Sequence, residues 1–127
     1  MRRLRSTKGP DLCERTFKFG VRITRMVRRL PRDVAGYEIG RQVLRSGTSI
    51  GANVEEADAA ESTDDFLHKL KVALKEAQET RFWLRTIRES ELLLDKEVDA
   101  LLQESNELIK ILNTIITNTI RKMNNGR

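Results

Sequence analysis

The chain has 127 residues, the size of one domain with a single core. Aromatic residues make up 5% of it, 2 residues are proline, and charged residues make up 34%. This balance favours a helical protein and argues against a β-sandwich or barrel. The net charge at pH 7 is +5, and no apolar run approaches the roughly 18–20 residues that span a bilayer, so we expect a soluble protein.

Positive charge is concentrated at the start of the chain. Eleven of the 24 Lys and Arg residues, but only two of the 19 acids, lie in residues 1–32. No apolar segment follows the stretch "MRRLRSTKGP", so we interpret residues 1–10 as a flexible basic arm and not as a signal peptide. Cys13 is the single cysteine and cannot form an internal disulfide, which fits a reducing cytoplasm.

The first predicted helix runs from about Asp11 to Leu30, where apolar residues recur at intervals of three and four. Asp11 can cap its start. Pro31 ends it, because the residue before a proline is pushed out of the helical region.

A stripe of basic side chains follows one flank of this helix, about 100° round from the apolar stripe. These candidate nucleic-acid-binding residues are Arg15, Lys18, Arg22, Arg25, Arg28, Arg29 and Arg32. Guanidinium groups bind phosphate through forked donors, and several together gain affinity by releasing counterions. No aromatic residue interleaves the stripe, so base stacking is not predicted. The alternatives are a solvated face, or ion pairs with acids of a neighbouring subunit.

The second predicted helix runs from Val34 or Gly36 to Ala60 and contains "LRSGTSIGANVEEA". A phosphate-binding loop would need a preceding strand and a terminal Lys-Ser or Lys-Thr pair, and a dinucleotide fold would need another glycine spacing. Glycine inside a helix costs roughly 1 kcal/mol relative to alanine, and the close approach of a neighbouring helix can offset that cost. We therefore interpret three glycines as close-packing positions: Gly40, Gly47 and Gly51.

A second line of the same helix is polar, and its members are Arg45, Ser49, Asn53 and Glu56 or Ala57. We expect this line to form a structural polar layer with acids of the third helix, such as Glu76 or Glu79, that fixes the register of the two helices. A ligand site at this layer is the alternative.

The third helix is predicted after "ESTDD", where Ser62 and Asp65 resemble a capping box. Its predicted apolar stripe is Phe66, Leu70, Ala73, Ala77, Thr80, Leu84 and Ile87. Phe82 and Trp83 are adjacent on this helix, so only one of them can face the core. The other is available for an intersubunit contact or for covering a helix flank.

The fourth helix is predicted from near Asp95 and passes into a polar tail, residues 123–127. Short links join the four helices, which makes sequential helices antiparallel neighbours. The predicted fold is all-α, an antiparallel up-down-up-down four-helix bundle over residues 11–122.

Catalytic and metal chemistry find little support. A di-iron bundle needs two Glu-x-x-His pairs, but His68 is the single histidine. Cys13 has no histidine near it in sequence and is interpreted as a structural thiol. Glu55 and Glu56 are adjacent, so they point about 100° apart and do not form a catalytic pair. We predict a non-enzymatic protein with no metal and no cofactor.

The stretch "LRSGTSIGANVEEADAAESTDDFLHKLKVALKEAQETRFWLR" resembles the signature of the 23S rRNA-intervening-sequence protein family, and the similarity extends over nearly the whole chain. The resemblance implies an all-α bundle that assembles as a ring-shaped homopentamer. It also implies kinship with accessory proteins of diversity-generating retroelements, which bind a reverse transcriptase and nucleic acid through a positively charged surface. It supplies no catalytic residues.

We therefore expect a non-enzymatic oligomeric scaffold of bacterial cytoplasm that binds structured RNA or DNA through the basic stripe, with a protein partner such as a reverse transcriptase. The alternative is a purely structural or protein-interaction oligomer with no nucleic-acid role. In that case the basic flank would be buried in the assembly or paired with an acidic protein.

Overall fold

The structure, a computed structural model, describes Leu4 and residues 11–126, and four α-helices account for most of that part of the chain. The helices are α1 (Leu12–Val27), α2 (Val34–Asp58), α3 (Thr63–Glu89) and α4 (Lys96–Asn125). No strand is present among the described residues. The all-α class predicted from the sequence is confirmed.

Each helix begins at a side chain that accepts a hydrogen bond from a backbone N–H of the first turn. Asp11 Oδ1 accepts from the N–H three residues on at 2.6 Å, and Ser62 Oγ does so at 3.0 Å. Asp33 and Asp95 cap the other two starts. These bonds satisfy donors that the start of a helix leaves open. The starts predicted near Asp11 and Asp95 and the capping role of Ser62 are confirmed, and α3 itself begins at Thr63, within "ESTDD".

Two helix ends differ from the expectation. α1 stops at Val27, because the N–H of Leu30 bonds to the carbonyl of Val27 at 3.1 Å in a tight turn ahead of Pro31. α4 continues to Asn125 and so includes most of the predicted tail, residues 123–127. Met123, the first residue of this stretch, is partly buried against the core, so apolar packing supports α4 into the predicted tail.

Of residues 1–10, which were expected to be a flexible basic arm, only Leu4 lies within the described part. Its side chain is buried, its N–H donates to Asp58 Oδ1 at 3.1 Å, and its carbonyl accepts from the N–H of Leu12 at 3.1 Å. The chain is therefore packed against the bundle at this position, where an apolar side chain gains by leaving water. The basic members of the expected arm lie outside the described residues: Arg2, Arg3, Arg5 and Lys8.

The link between α3 and α4 contains a left-handed residue. Glu91 has a φ of 58°, and its N–H bonds to the carbonyl of Arg88 at 3.1 Å. The N–H of Leu92 bonds to the carbonyl of Ile87 at 3.0 Å. This pair of bonds is the Schellman arrangement, which usually has glycine at the left-handed position. It ends α3 and turns the chain towards α4.

Each helix packs against two others, α1 and α3 both contacting α2 and α4, so the four close into a bundle. The apolar stripes predicted from the spacing are buried, and on α3 these positions are Phe66, Leu70, Ala73, Ala77, Thr80, Leu84 and Ile87. α1 and α4 pack least closely. That seam runs beside the basic flank of α1, and its contacts decide which cations are open to a partner.

Candidate nucleic-acid interface

The predicted basic stripe divides into two rows in the structure. Three arginines that recur every seven residues lie against α4: Arg15, Arg22 and Arg29. The other four residues are exposed: Lys18, Arg25, Arg28 and Arg32. We call these sets the inner row and the outer row. A spacing of seven is close to two helical turns, so the inner row keeps one line towards α4.

The inner row is occupied by carboxylates of the same chain. Arg15 donates from Nε and Nη2 to Glu104 at 2.7 and 2.8 Å. Arg22 donates in the same forked way to Glu97, with both distances 3.0 Å. Such paired bonds fix orientation as well as charge, because the planar guanidinium matches the two carboxylate oxygens.

The third inner arginine follows the same pattern. Arg29 Nη2 lies 2.8 Å from Asp95 Oδ2, the residue that also caps α4. The inner row therefore joins α1 to α4 along the seam where the two helices pack least closely. Its three guanidinium groups are thus already paired within the chain.

Ion pairing shifts the pKa of Arg15, of Arg22 and of Glu97. The hydrogen bond from Arg22 holds the pKa of Glu97 below its ordinary value, against the opposing effect of burial. The bonds from Glu97 and Glu104 raise the pKa of Arg22 and Arg15, respectively. The ion pairs therefore favour the charged forms of Arg15, Arg22 and Glu97, and a polyanion would have to displace a carboxylate to reach either arginine.

The outer row is open to solvent. Lys18 is 71% exposed and has only a long contact, 3.9 Å, to Glu14. Arg25, Arg28 and Arg32 form no ion pair with any residue in the described part of the chain. Arg41 of α2, which the sequence reasoning missed, is exposed and equally without such a pair. Arg25, Arg28, Arg32 and Arg41 thus form one group of exposed cations near the link between α1 and α2.

The predicted structural polar layer is partly assembled. Arg45 contacts Glu79 and lies 2.9 Å from Glu76, both on α3, and Trp83 Nε1 donates to Glu79 at 3.1 Å. The hydrogen bond from Arg45 lowers the pKa of Glu79. The remaining members lie apart from this cluster: Glu56 pairs with Lys69 at 3.0 Å, and Asn53 donates to Ser49 at 3.2 Å.

A second polar contact between α2 and α3 was missed from the sequence. Ser46 Oγ and Thr80 Oγ1 share a hydrogen bond of 2.9 Å, and both residues are fully buried. Thr80 lies on the predicted apolar stripe of α3, and a buried hydroxyl needs a hydrogen-bond partner. The threonine at this position was the one sign in the sequence of a buried polar contact.

The predicted close-packing glycines face α1. A Cβ at Gly47 would lie 2.9 Å from Ile23 Cγ1 and Cγ2. A Cβ at Gly51 would lie 3.2 Å from the carbonyl oxygen of Thr16. A Cβ at Gly40 would lie at the same distance from Leu30 Cδ1, just beyond the end of α1. The missing side chains therefore let the two helices approach closely and hold the basic flank of α1 in place.

The described part of the chain also shows where the possible metal ligands and the single cysteine lie. No group of three or more His, Cys, Asp or Glu side chains there could hold a metal ion. Cys13 is fully buried, and His68 is exposed. None of the described helices has the length and hydropathy needed to cross a membrane.

These features define a small four-helix-bundle protein with a group of exposed cations near the link between α1 and α2. The model of the family described as 23S rRNA-intervening sequence protein matches residues 10–114. The chain belongs to this family.

A solved structure supports the same assignment. It is the crystal structure of a protein of unknown function from the S23 ribosomal protein family of Bacteroides thetaiotaomicron VPI-5482. It is 38% identical, with a TM-score of 0.76, and the match covers 82% of this chain and 96% of that one. None of the curated proteins matches this chain.

Proposed function

We propose that the protein is a non-enzymatic scaffold of the bacterial cytoplasm that binds structured RNA or DNA through the outer row. The carrying observation is that Arg25, Arg28 and Arg32 are exposed and form no ion pair with a described residue. The inner row already has its carboxylates, so the outer row supplies the contacts to a partner.

Backbone phosphate is the part of nucleic acid that this surface suits. Guanidinium groups donate in a fork to phosphate oxygens, and each phosphate that they neutralise releases bound counterions. Contacts to phosphate position a protein without reading sequence. We therefore expect weak sequence preference and steep dependence on salt.

We propose that the bundle of one chain is antiparallel, up-down-up-down. Bridging contacts pair Arg15 with Glu104 and Arg22 with Glu97, so residue numbers that increase along α1 meet residue numbers that decrease along α4.

Assembly of several chains would repeat the cationic surface. We further propose the ring-shaped homopentamer that the family resemblance implies. Five modest patches on one body bind together far more tightly than one. A protein partner such as a reverse transcriptase would add to the same surface.

An exposed aromatic residue favours a second candidate function. Phe82 on α3 is 57% exposed, and its ring meets Trp83 edge to face with centroids 4.9 Å apart. Exposed aromatic rings are typical of protein–protein contacts. The alternative is therefore a structural or protein-interaction oligomer with no nucleic-acid role.

A pair of charge-reversal variants distinguishes the two functions. The test variant carries Arg25→Glu, Arg28→Glu and Arg32→Glu. The matched control carries Lys71→Glu, Lys75→Glu and Arg85→Glu, three exposed cations of α3, and it changes the net charge by the same amount. Neither set touches the inner row.

Binding to a fluorescein-labelled RNA hairpin is followed by anisotropy between about 50 and 200 mM salt. The test variant should bind at least about tenfold more weakly at low salt, with a slope of log K against log salt reduced by about 2–3. The control should keep most of the affinity. Equal loss in both variants, or no binding by the natural chain, would refute the proposal.

A further inference from the structure

A groove opens where α1 ends and α2 begins, and it has a volume of about 380 Å³. This volume lies within the range of about 300–1,000 Å³ that small-molecule sites occupy. The link between the two helices forms one end of the groove, and the first turns of α2 form one wall.

Three cations from three different elements line this groove. Arg28 caps the end of α1, Arg32 belongs to the link, and Arg41 belongs to α2. All three are exposed, and none forms an ion pair with a described residue. No acidic residue is among those that line the groove. Three like charges around one cavity repel one another, so the site favours an anionic occupant.

An aromatic ring shares the groove with these cations. Tyr37 is 57% exposed, and it stands one helical turn before Arg41 and two turns before Leu44 on the same face of α2. An exposed ring face beside guanidinium groups is the combination with which proteins bind single-stranded nucleic acid, the ring stacking on a base and the cations meeting phosphate.

The base of the groove is apolar and closely packed. A Cβ at Gly40 would lie 3.2 Å from Leu30 Cδ1 and 3.4 Å from Val27 Cγ1. The absence of that atom lets the end of α1 pack directly on α2 beneath the groove. The cavity therefore has a closely packed apolar base, and the exposed cations lie around it.

We infer that this groove binds one nucleotide of a single-stranded segment, with the base stacked on Tyr37 and the neighbouring phosphates on Arg28, Arg32 and Arg41. The inference rests on the proposed function and specifies the substrate class. The sequence alone argued against stacking, because no aromatic interleaves the basic residues of α1. The structure supplies the ring from α2. An acidic peptide would satisfy the cations but would offer no flat face to the ring.

Two variants of Tyr37 test the stacking. Binding of a labelled oligoadenylate is compared with binding of an abasic strand of the same length and charge. Tyr37→Ala should weaken oligoadenylate binding roughly 5- to 150-fold and leave abasic binding unchanged, while Tyr37→Phe retains both. Because the side chain is largely exposed, both variants should fold, which circular dichroism checks.

A direct readout is also available, because Tyr37 is the single tyrosine of the chain. Its ring protons should shift upfield in the NMR spectrum on addition of oligoadenylate and not of the abasic strand. Equal weakening of both strands by Tyr37→Ala, or a Tyr37-dependent affinity for oligoglutamate, would overturn the inference. If Tyr37→Ala has no effect while the outer-row charge reversal abolishes hairpin binding, stacking is wrong and the proposed function stands. If the natural chain binds neither strand nor hairpin, both are wrong.

Discussion

Glu91 occupies a backbone conformation that glycine adopts at no cost. A side chain at positive φ costs about 1–2 kcal/mol, because the Cβ crowds the following carbonyl. We predict that Glu91→Gly raises the free energy of unfolding by about 1 kcal/mol, measured by urea denaturation.

Glu89→Gly is the matched control, because Glu89 is the last residue of α3, in the ordinary helical region. This variant should lose stability, by up to about 1 kcal/mol, because glycine disfavours a helix. If both variants shift the unfolding midpoint in the same direction, the left-handed residue is not the cause.

At the scale of the element, the glycines between α1 and α2 differ in how much room they leave for a methyl group. Gly47→Ala would place a methyl group 2.9 Å from Ile23, a buried side chain that cannot swing away. The overlap costs about 1–3 kcal/mol against a gain of about 1 kcal/mol in helix propensity, so we predict a net loss of about 1 kcal/mol.

Gly20→Ala tests the same interface from the other helix. The nearest heavy atom to a new methyl group would be Thr48 Cα at 3.7 Å, an ordinary contact. We expect this variant to gain about 0.5–1 kcal/mol from helix propensity alone. Thermal unfolding of the two variants side by side checks the prediction, and a gain for Gly47→Ala would contradict it.

The inner row makes stability depend on pH at the acid end. The folded state holds the pKa of Glu97 below its ordinary 4.5, so the unfolded state binds the proton more readily. The contribution is fully present above pH 4.5 and is lost as the pH falls through the lowered folded value.

We predict that Glu97→Gln lowers stability by about 0.2–1 kcal/mol at neutral pH and that its curve meets that of the natural chain in acid. Urea denaturation across the acid range measures this. Glu38→Gln is the control, because Glu38 is exposed and forms no ion pair with a described residue. A constant difference between Glu97→Gln and the natural chain at every pH would contradict the assignment.

The elements themselves were largely predictable, and the site was not. Spacing in sequence determines which residues share a face, so the stripes through Phe66 and Leu84 are buried as predicted. The partners of Arg22 and Arg15 come from 75 and 89 residues away, and no local pattern of α1 reveals them. One signal was present: Glu97 and Glu104 are seven residues apart, like Arg15 and Arg22.

At the scale of the whole molecule, exposed Phe82 offers a test of assembly. We predict that light scattering coupled to size exclusion gives about five times the 14.6 kDa of one chain. Phe82→Ala should reduce this mass and leave the helical signal in circular dichroism unchanged, because the ring contributes little to the core.

Phe17→Ala is the matched control, since Phe17 is 61% exposed on α1. If only Phe82→Ala reduces the mass, the contact lies on α3. If neither variant alters the mass, Phe82 is not part of a subunit contact. A natural chain with the mass of a monomer would refute the ring.

The seam between α1 and α4 also bears on how the chain folds. Its ion pairs join the two ends of the described chain, whereas the other helix contacts join neighbours in sequence. Two sequential helices can pack as soon as the short link between them has formed. In contrast, α1 and α4 can pack together only after α2 and α3 have folded between them. We predict that these ion pairs form late, after the transition state. Breaking them should then speed unfolding and leave the folding rate almost unchanged, so that the inner row affects how long the native state lasts more than how fast it forms.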